Sequence, residues 1–196
     1  ASGGLTMFPV DGGKAAFGDF AYAADDQSVY FVSDEPVNGV AQEFMTLRHH
    51  DPANGTLTVL SGDIPWDVDG FSLSDDGKRL AFVTNEDGIS KLRVLSMPDR
   101  REIALPALPV GVFDSGAFSP DGKRIALTIN SATSPSDVYV IDLEAKTLTQ
   151  WTRSEVGGLD ASKFVAPTLI RYPTFDKVHG ASRTIPAFYY RPANVP

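Results

Sequence analysis

The sequence predicts an all-β protein: a partial β-propeller of about three four-stranded antiparallel blades, followed by an exit β-hairpin. Two repeated phrases lead to this prediction. The phrase Asp-Gly-Lys-Arg stands at 76–79 and again at 121–124, 45 residues later. A second phrase at 56–58 recurs at 102–104 and 147–149, after 46 and then 45 residues. Units of this length that contain four strands are typical of propeller blades.

A weaker copy of the first phrase occupies residues 24–31 and is interpreted as one residue short in the turn.

A β-sandwich would use similar strands. It has no reason, however, to repeat the same turn at a fixed four-strand interval. The repeat therefore favours the propeller over the sandwich.

Each unit reads as four strands, because short β-branched and aromatic runs alternate with turn residues. In the unit at 18–62 the predicted strands are 20–24, 29–33, 43–48 and 56–60. In the unit at 63–108 they are 68–74, 79–85, 91–96 and 102–105. In the unit at 109–154 they are 112–119, 124–130, 137–143 and 146–152.

The two ends of the chain do not follow the blade pattern. Residues 1–17 are predicted to be the edge of a preceding blade, and 155–196 a linker and a first hairpin with strands at 168–175 and 185–191. The smallest closed propeller has about four blades. We therefore expect only part of a ring, whose bare faces are covered by another part of the protein or by self-association.

The repeated phrase fits a turn. In Ser-Pro-Asp-Gly at 119–122, serine can bond back to the backbone, proline presets φ, and glycine tolerates positive φ. Lys123 and Arg124 then open the next strand and are expected to project into water. An ion-binding loop would need converging ligands that the sequence does not offer, so a structural turn is the preferred interpretation.

Composition excludes several classes of protein. Lys and Arg number 17 against 25 Asp and Glu, a net charge of −8, so neither nucleic acid nor an anionic membrane is an expected partner. No cysteine is present, which excludes disulfides and thiolate zinc sites. No apolar run approaches the roughly 18 residues of a membrane span. A soluble protein is expected, with the compartment left open between bacterial cytoplasm and periplasm.

Two stretches carry a family resemblance. They are "SATSPSDVYVIDL" at 131–143 and the exit segment at 151–192, which contains "RYPTFD" and "IPAFYYRP". Together with the blades, they resemble the prolyl oligopeptidase family of serine peptidases, and in particular its acylaminoacyl-peptidase-like and dipeptidyl-peptidase-like bacterial members. The exit segment is the more specific part, because Ser-Pro-Asp-Gly-Lys turns occur in many propellers.

The resemblance implies that the propeller covers a C-terminal α/β-hydrolase domain whose sheet begins with the exit hairpin. That domain carries the Ser, Asp and His of the family, with the serine in a Gly-x-Ser-x-Gly elbow. The nearest match here, residues 70–74, lacks the second glycine. Nor are the paired glutamates of dipeptidyl peptidases found, since Glu35 and Glu43 stand apart. No catalytic residue is therefore assigned.

The expected function is that of a substrate-gating propeller which is not catalytic on its own. Its implied partners are the hydrolase domain of the same protein and peptide substrates, with no cofactor. The alternative is a non-catalytic TolB-like propeller that binds a protein or a peptide. The exit hairpin favours the first interpretation, because a binding module has no need of it.

No metal site is expected from the sequence. His49 and His50 would point to opposite faces of a strand, so a solvated turn is expected at this position. Asp67 and Asp69 alternate but lack the longer ligand series of a calcium loop. His179 lies in the polar loop of the exit segment, and without a nucleophile it is expected to be a surface residue.

Aromatic residues are expected to pack. Trp66 and Trp151 are predicted to lie between blades, and residues 189–191 to pack in the sheet of the hairpin. Three hairpin residues are candidates for contact with the catalytic domain or with substrate: Arg171, Tyr172 and Tyr190.

Overall fold

The structure is a computed structural model that describes residues 14–178 and 180–192. Most of the predicted edge of a preceding blade at 1–17, and His179, lie outside the described residues. Within the described part, no helix combines the length and the apolar character that crossing a membrane requires.

Twelve strands form three four-stranded antiparallel sheets, which we call blades 1, 2 and 3. Blade 1 contains β1 (Phe17–Tyr22), β2 (Val29–Ser33), β3 (Thr46–Asp51) and β4 (Thr56–Val59). Blade 2 contains β5 (Val68–Leu73), β6 (Arg79–Glu86), β7 (Ile89–Ser96) and β8 (Arg101–Glu102). Blade 3 contains β9 (Ala117–Phe118), β10 (Arg124–Ile129), β11 (Asp137–Asp142) and β12 (Thr147–Gln150).

Each blade pairs its strands in chain order, and β13 (Thr168–Val178) and β14 (Ala181–Tyr189) form a separate two-stranded sheet. The predicted fold class, about three antiparallel blades and an exit hairpin, is confirmed. One short 3-10 helix, Ala161–Lys163, lies in the connection between blade 3 and the hairpin.

Two cores hold the blades together, and β6 contributes to both. Its alternating side chains point to opposite faces, as the period of a strand requires. Leu80 and Phe82 pack in the core between blades 1 and 2, and Ala81 and Val83 in the core between blades 2 and 3. Blade 2 is therefore buried on both faces.

The repeated phrase forms the same turn in blades 2 and 3. In blade 2, Ser74 Oγ donates to Asp76 Oδ1 (2.7 Å), and the backbone N–H of Lys78 donates to the same oxygen (3.0 Å). In blade 3, Ser119 Oγ and the N–H of Lys123 donate to Asp121 Oδ1 at 2.6 and 3.0 Å. The predicted structural turn therefore has a full set of local hydrogen bonds.

The weaker copy in blade 1 is not one residue short, as the sequence suggested. The N–H of Ala23 donates to the Ser28 carbonyl, as the N–H of Ser74 donates to that of Arg79, so the turns have equal length. Asp26 occupies the position of the glycine with φ 55°. The copy therefore begins at Ala23, which takes the place of Ser74.

The turns of neighbouring blades contact one another. A Cβ added at Gly77 would lie 2.7 Å from the Cβ of Ala24 in blade 1, and one at Gly122 would lie 3.3 Å from that of Ser74 in blade 2. Arg79 Nη1 also donates to the Gly122 carbonyl at 2.5 Å. The repeated phrase is thus a joint between blades as well as a turn within each blade.

The inner strand of blade 3 is shorter than the predicted strand at 112–119. Only β9 is a strand, and Val112 and Asn130 form an isolated bridge. Between Val112 and β9, the N–H of Gly116 donates to Asp114 Oδ1, and Gly116 takes a φ of 68°. This local turn interrupts the hydrogen-bond ladder of the strand. The predicted strand at 102–105 is likewise reduced to the short strand β8.

Candidate functional site

The exit hairpin has two sides that face different surroundings. Across its ladder Leu169 pairs with Phe188, and Tyr172 pairs with Ile185. Paired residues share a face, and successive residues alternate between faces. We call the face with Leu169, Arg171 and Phe188 the inner side, and the face with Ile170, Tyr172, Ile185 and Tyr189 the outer side.

The inner side rests on blade 2. Arg171 Nη2 donates to Asp87 Oδ2, and a Cβ added at Gly88 would lie 3.0 Å from the Phe188 ring. Asp87 and Gly88 form the turn between β6 and β7, with φ of 56° and 84°. Since strands of a blade alternate in direction, this turn lies at the opposite end of blade 2 from the repeated phrase.

Beside these contacts, a cavity of about 590 Å³ lies between the hairpin and blades 2 and 3. Val110 and Val112 form part of its blade wall, and Phe188 and Tyr190 form part of its hairpin wall. Asn130 adds a polar side chain to this mainly apolar lining. The size and lining suit the apolar part of a ligand or of a neighbouring domain.

The outer side of the hairpin is apolar and open. Ile170, Tyr172, Ile185 and Tyr189 are between 41% and 51% exposed. Contiguous exposed apolar side chains mark surfaces that pack against a partner. The outer side is therefore the candidate interaction surface of the described chain.

The three candidate contact residues lie in different places. Arg171 is on the inner side against Asp87, Tyr172 is on the outer side, and Tyr190 lines the cavity. The structure does not bring them together into one site. Contact with a catalytic domain or with substrate stays a prediction for each of them.

The histidine pair does not lie in a solvated turn, as the sequence predicted, but in the strand β3. The His49 ring is half-buried, with its centroid 4.6 Å from that of Tyr30. Burial lowers the pKa of His49, and the nearby charge of Arg100 lowers it further. β3 pairs with β2 on one edge and with β4 on the other. These backbone hydrogen bonds keep the segment in a strand although its side chains are polar.

Asp67 and Asp69, the alternating carboxylates noted in the sequence, lie on either side of Val68 at the start of β5. Asp67 Oδ1 accepts the backbone N–H of Met45 at 2.8 Å. Burial raises the pKa of Asp69, and the neighbouring Asp67 carboxylate raises it further. Within residues 14–178 and 180–192, no cluster of three or more His, Asp or Glu side chains could hold a metal ion.

The segment 70–74, nearest in sequence to a nucleophile elbow, lies in β5 and its turn. Ser72 Oγ donates to the carbonyl of Ser115 at 3.3 Å. A nucleophile elbow needs a sharp strand-to-helix turn that exposes the serine. The surroundings of Ser72 have neither this turn nor a helix, so the partial match in sequence has a structural role.

The sequence reasoning missed a repeated arginine–glutamate pair. In blade 1, Arg48 Nη2 donates to the Glu35 carbonyl (2.6 Å), and Nη1 lies 3.8 Å from Glu35 Oε1. In blade 2, Arg93 Nη2 donates to Glu86 Oε1 at 2.7 Å. The two arginines are 45 residues apart and follow the repeat, but the two glutamates are 51 residues apart, so the repeat indicates the arginines and not their partners.

The blade 2 pair lies in a groove of about 480 Å³ at the boundary with blade 1. Trp66 lines this groove, as its predicted place between blades implies, and Arg100 and Glu102 add two more charges. Trp151 is 64% exposed in this chain, so its packing between blades stays a prediction. It follows β12, and its N–H donates to the Val138 carbonyl at 2.8 Å.

A buried carboxylate at the start of β11 also escaped the sequence reasoning. Asp137 accepts five hydrogen bonds, from Ser134 Oγ, Gln150 Nε2, Thr152 Oγ1, and both the N–H and Oγ of Ser154. Burial raises the pKa of Asp137, but the hydrogen bonds from Thr152, Ser134 and Ser154 outweigh it and hold the pKa below its usual value. This carboxylate fixes the chain as it leaves blade 3.

No protein-family model and no curated protein sequence matches the chain. Solved structures do match it. One of a prolyl endopeptidase shares 17% identity over 94% of this chain and 25% of its own, with a TM-score of 0.68. A puromycin hydrolase shares 18% identity over 90% of this chain and 25% of its own, with a TM-score of 0.65.

Prolyl oligopeptidase B from Galerina marginata matches 93% of this chain and 25% of its own length at 12% identity, with a TM-score of 0.68. The chain thus spans about a quarter of the length of the solved structures that it matches. These matches confirm the fold that the sequence resemblance implied: the chain has the propeller fold of prolyl oligopeptidases.

Proposed function

We propose that this chain is the propeller part of a prolyl oligopeptidase-like serine peptidase. There it restricts access to an active site on an adjoining α/β-hydrolase domain, and it is not catalytic on its own. The fold shared with prolyl endopeptidases supports this proposal. The exit hairpin supports it as well, because the hairpin would be the first part of the hydrolase sheet.

The observation that carries the proposal is the outer side of the hairpin. An isolated two-stranded sheet is marginally stable and needs further strands or a packed layer. The exposed side chains of Ile170, Tyr172 and Ile185 provide an apolar surface for such a layer. A hydrolase domain that continues this sheet would bury them and pair an edge of β13 or β14.

The chemistry of the whole enzyme would be acyl transfer to a serine. The serine oxygen attacks the scissile carbonyl while a histidine takes its proton, and the histidine then protonates the leaving amine. An oxyanion hole stabilises the negative carbonyl oxygen, and water releases the acyl group in the second half of the reaction. All of these groups would belong to the hydrolase domain, and the propeller would exclude large folded substrates by its shape.

Labelling with a fluorophosphonate probe, which reacts with an activated serine, tests the proposal. One sample is the present chain. The other is the full-length protein encoded by the gene that contains this sequence, called the long protein below. We expect labelling only of a protein that joins this propeller to a downstream Gly-x-Ser-x-Gly elbow. A coding sequence without an elbow, or an unlabelled long protein, would contradict the proposal and leave the TolB-like binding module as the alternative.

The outer side supplies a matched pair of variants for the same assay. Ile185→Lys places a charge in the proposed contact with the hydrolase domain, and we expect it to reduce labelling of the long protein. Ser182→Lys adds the same charge at an exposed position of the same strand, outside the apolar surface. Equal labelling of both variants would mean that the outer side does not pack on the catalytic domain.

A further inference from the structure

The exit segment, residues 151–192, leaves blade 3, but its hairpin contacts blade 2. Its start is fixed by the buried Asp137, which accepts hydrogen bonds from Thr152 and Ser154. Its hairpin meets blade 2 through Asp87, 84 residues away in sequence from Arg171. The position of the hairpin therefore depends on a contact that is distant along the chain.

Between these two attachments lies a turn with two consecutive glycines, in which the N–H of Gly158 donates to Glu155 Oε1 (3.2 Å). Gly157 and Gly158 take φ of 66° and 75°, and an added Cβ on either would meet nothing within 4 Å. Glycine in open space has little to restrict its backbone. The short 3-10 helix that follows has no buried residue. The connection from 155 to 167 therefore does not set the orientation of the hairpin. The contacts of the hairpin with the blades set it instead.

The hairpin contacts blade 2 through the ion pair of Arg171 with Asp87 and through the Phe188 ring at Gly88. Of these two contacts, the ion pair is the one with a defined direction. The Asp87 side chain is 14% exposed and that of Arg171 is 47% exposed, so the carboxylate is partly shielded from water while the guanidinium stays open to salt. Asp87 lies in the two-residue turn between β6 and β7. Asn85 Oδ1 accepts the N–H of Gly88 at 2.9 Å and thereby fixes the backbone of this turn. The carboxylate is thus presented from a rigid turn.

We propose that Asp87 and Arg171 are a positioning pair that sets the orientation of the exit hairpin on the propeller. Blade 2, rather than the preceding blade 3, then determines where the hairpin lies. The inference about the chain itself is independent of catalysis. Its consequence for a catalytic domain, whose sheet this hairpin would orient, rests on the proposed function.

The test measures the hairpin directly. The chain contains no cysteine, so spin labels can be attached at two introduced sites, Ser182→Cys on the hairpin and Thr147→Cys on blade 3. Pulsed electron spin resonance then gives the distribution of distances between them. We expect a single narrow distribution for the parent protein, and Arg171→Ala to raise the population outside it by about twofold to tenfold.

Further variants separate positioning from general stability. Asp87→Asn keeps a residue that tolerates positive φ and should broaden the distribution as much as Arg171→Ala, while the double variant should broaden it no further. Arg171→Lys should restore most of the narrow population. Arg183→Ala is the matched control, because Arg183 pairs with Asp176 within the hairpin (3.7 Å) and should leave the distribution unchanged.

The outcomes are distinct from those of the labelling assay. An unchanged distribution in Arg171→Ala, or equal broadening in Arg183→Ala, would overturn the positioning role even if the long protein is an active peptidase. Conversely, broadening that follows the predicted pattern upholds the pair even if no serine is labelled. About 1 M salt should reproduce part of the effect in the parent protein, since it screens exposed charge pairs.

Discussion

At the scale of single residues, Gly77 and Gly122 meet two demands at once. Each takes a positive φ, of 66° and 67°, which a side chain disfavours. Each also faces the turn of the preceding blade, and Gly77 approaches Ala24 most closely. Asp26, at the same position in blade 1, shows that an aspartate can adopt this φ of 55°. The closeness of the neighbouring blade is therefore the stricter demand.

Gly77→Ala should therefore destabilise the protein by more than its φ alone explains. Gly55 is the matched reference, since it has a φ of 69° but an added Cβ there would meet nothing within 4 Å. We expect Gly55→Ala to cost about 1–2 kcal/mol of unfolding free energy. The overlap with Ala24 should add about 1–3 kcal/mol in Gly77→Ala. Urea unfolding measures both, and equal losses would show that the blades do not meet at this point.

At the scale of elements, the three turns between first and second strands share one device. A carboxylate accepts the backbone N–H two residues further on, from Gln27, Lys78 and Lys123 respectively. The Ser28 hydroxyl and two backbone N–H groups lower the pKa of Asp25 to about 2. The N–H of Lys78 and the Ser74 hydroxyl lower that of Asp76 to about 2.

These turns should make the fold sensitive to acid. A carboxylate whose pKa is lower in the folded than in the unfolded state stabilises the fold above pH about 4, where it is ionised in both states. The contribution is lost as the pH falls from about 4 toward 2, because the unfolded chain then binds protons that the folded carboxylates do not. We expect urea midpoints to be steady down to pH about 4 and to fall below it.

The variant Asp76→Asn checks this origin of the acid sensitivity. It removes the titrating group and should leave a smaller drop in urea midpoint between pH 4 and pH 2 than the parent shows. Asp75→Asn is the control, since it removes an exposed carboxylate from the same turn. An unchanged drop in Asp76→Asn would mean that other carboxylates govern the acid response.

Strands with a clear period were predictable from the sequence, and contacts between distant residues were not. The strand β2 lies at the predicted 29–33, because its alternating apolar side chains reach a core. The inner strand β9 was overpredicted, since Asp114 and Gly116 interrupt a run that looks continuous. Arg48 of β3 pairs with Glu35 in the connection after β2, and no local pattern in the sequence links the two residues.

The hairpin was predictable from the sequence, but the side that each candidate contact residue faces was not. The sequence singled out Arg171, Tyr172 and Tyr190, which all lie on or beside the hairpin. Which side each residue faces depends on the register of the two strands, and the register includes an irregularity between Pro173 and Lys177. The partner of Arg171 lies in a turn of blade 2, and no local pattern in the sequence connects the two.

At the scale of the whole molecule, the strand contacts between blades in the described residues join blade 1 to blade 2 and blade 2 to blade 3. Leu47 belongs to the core between blades 1 and 2, and Ile141 to the core between blades 2 and 3. Stability in such a row is approximately a sum of units and of interfaces between neighbours. Blade 2 takes part in both interfaces, so its strands should open last.

Two large-to-small substitutions test this arrangement. Leu47→Ala and Ile141→Ala each remove a fully buried side chain and should cost about 2–5 kcal/mol at their own interface. Hydrogen exchange followed by mass spectrometry should show faster exchange in blade 1 for Leu47→Ala and in blade 3 for Ile141→Ala. In both variants β6 should stay the most protected strand, because one of its two interfaces remains intact. If either variant instead accelerates exchange equally in all three blades, the blades open as a single cooperative unit, and the interfaces are coupled through β6 rather than independent.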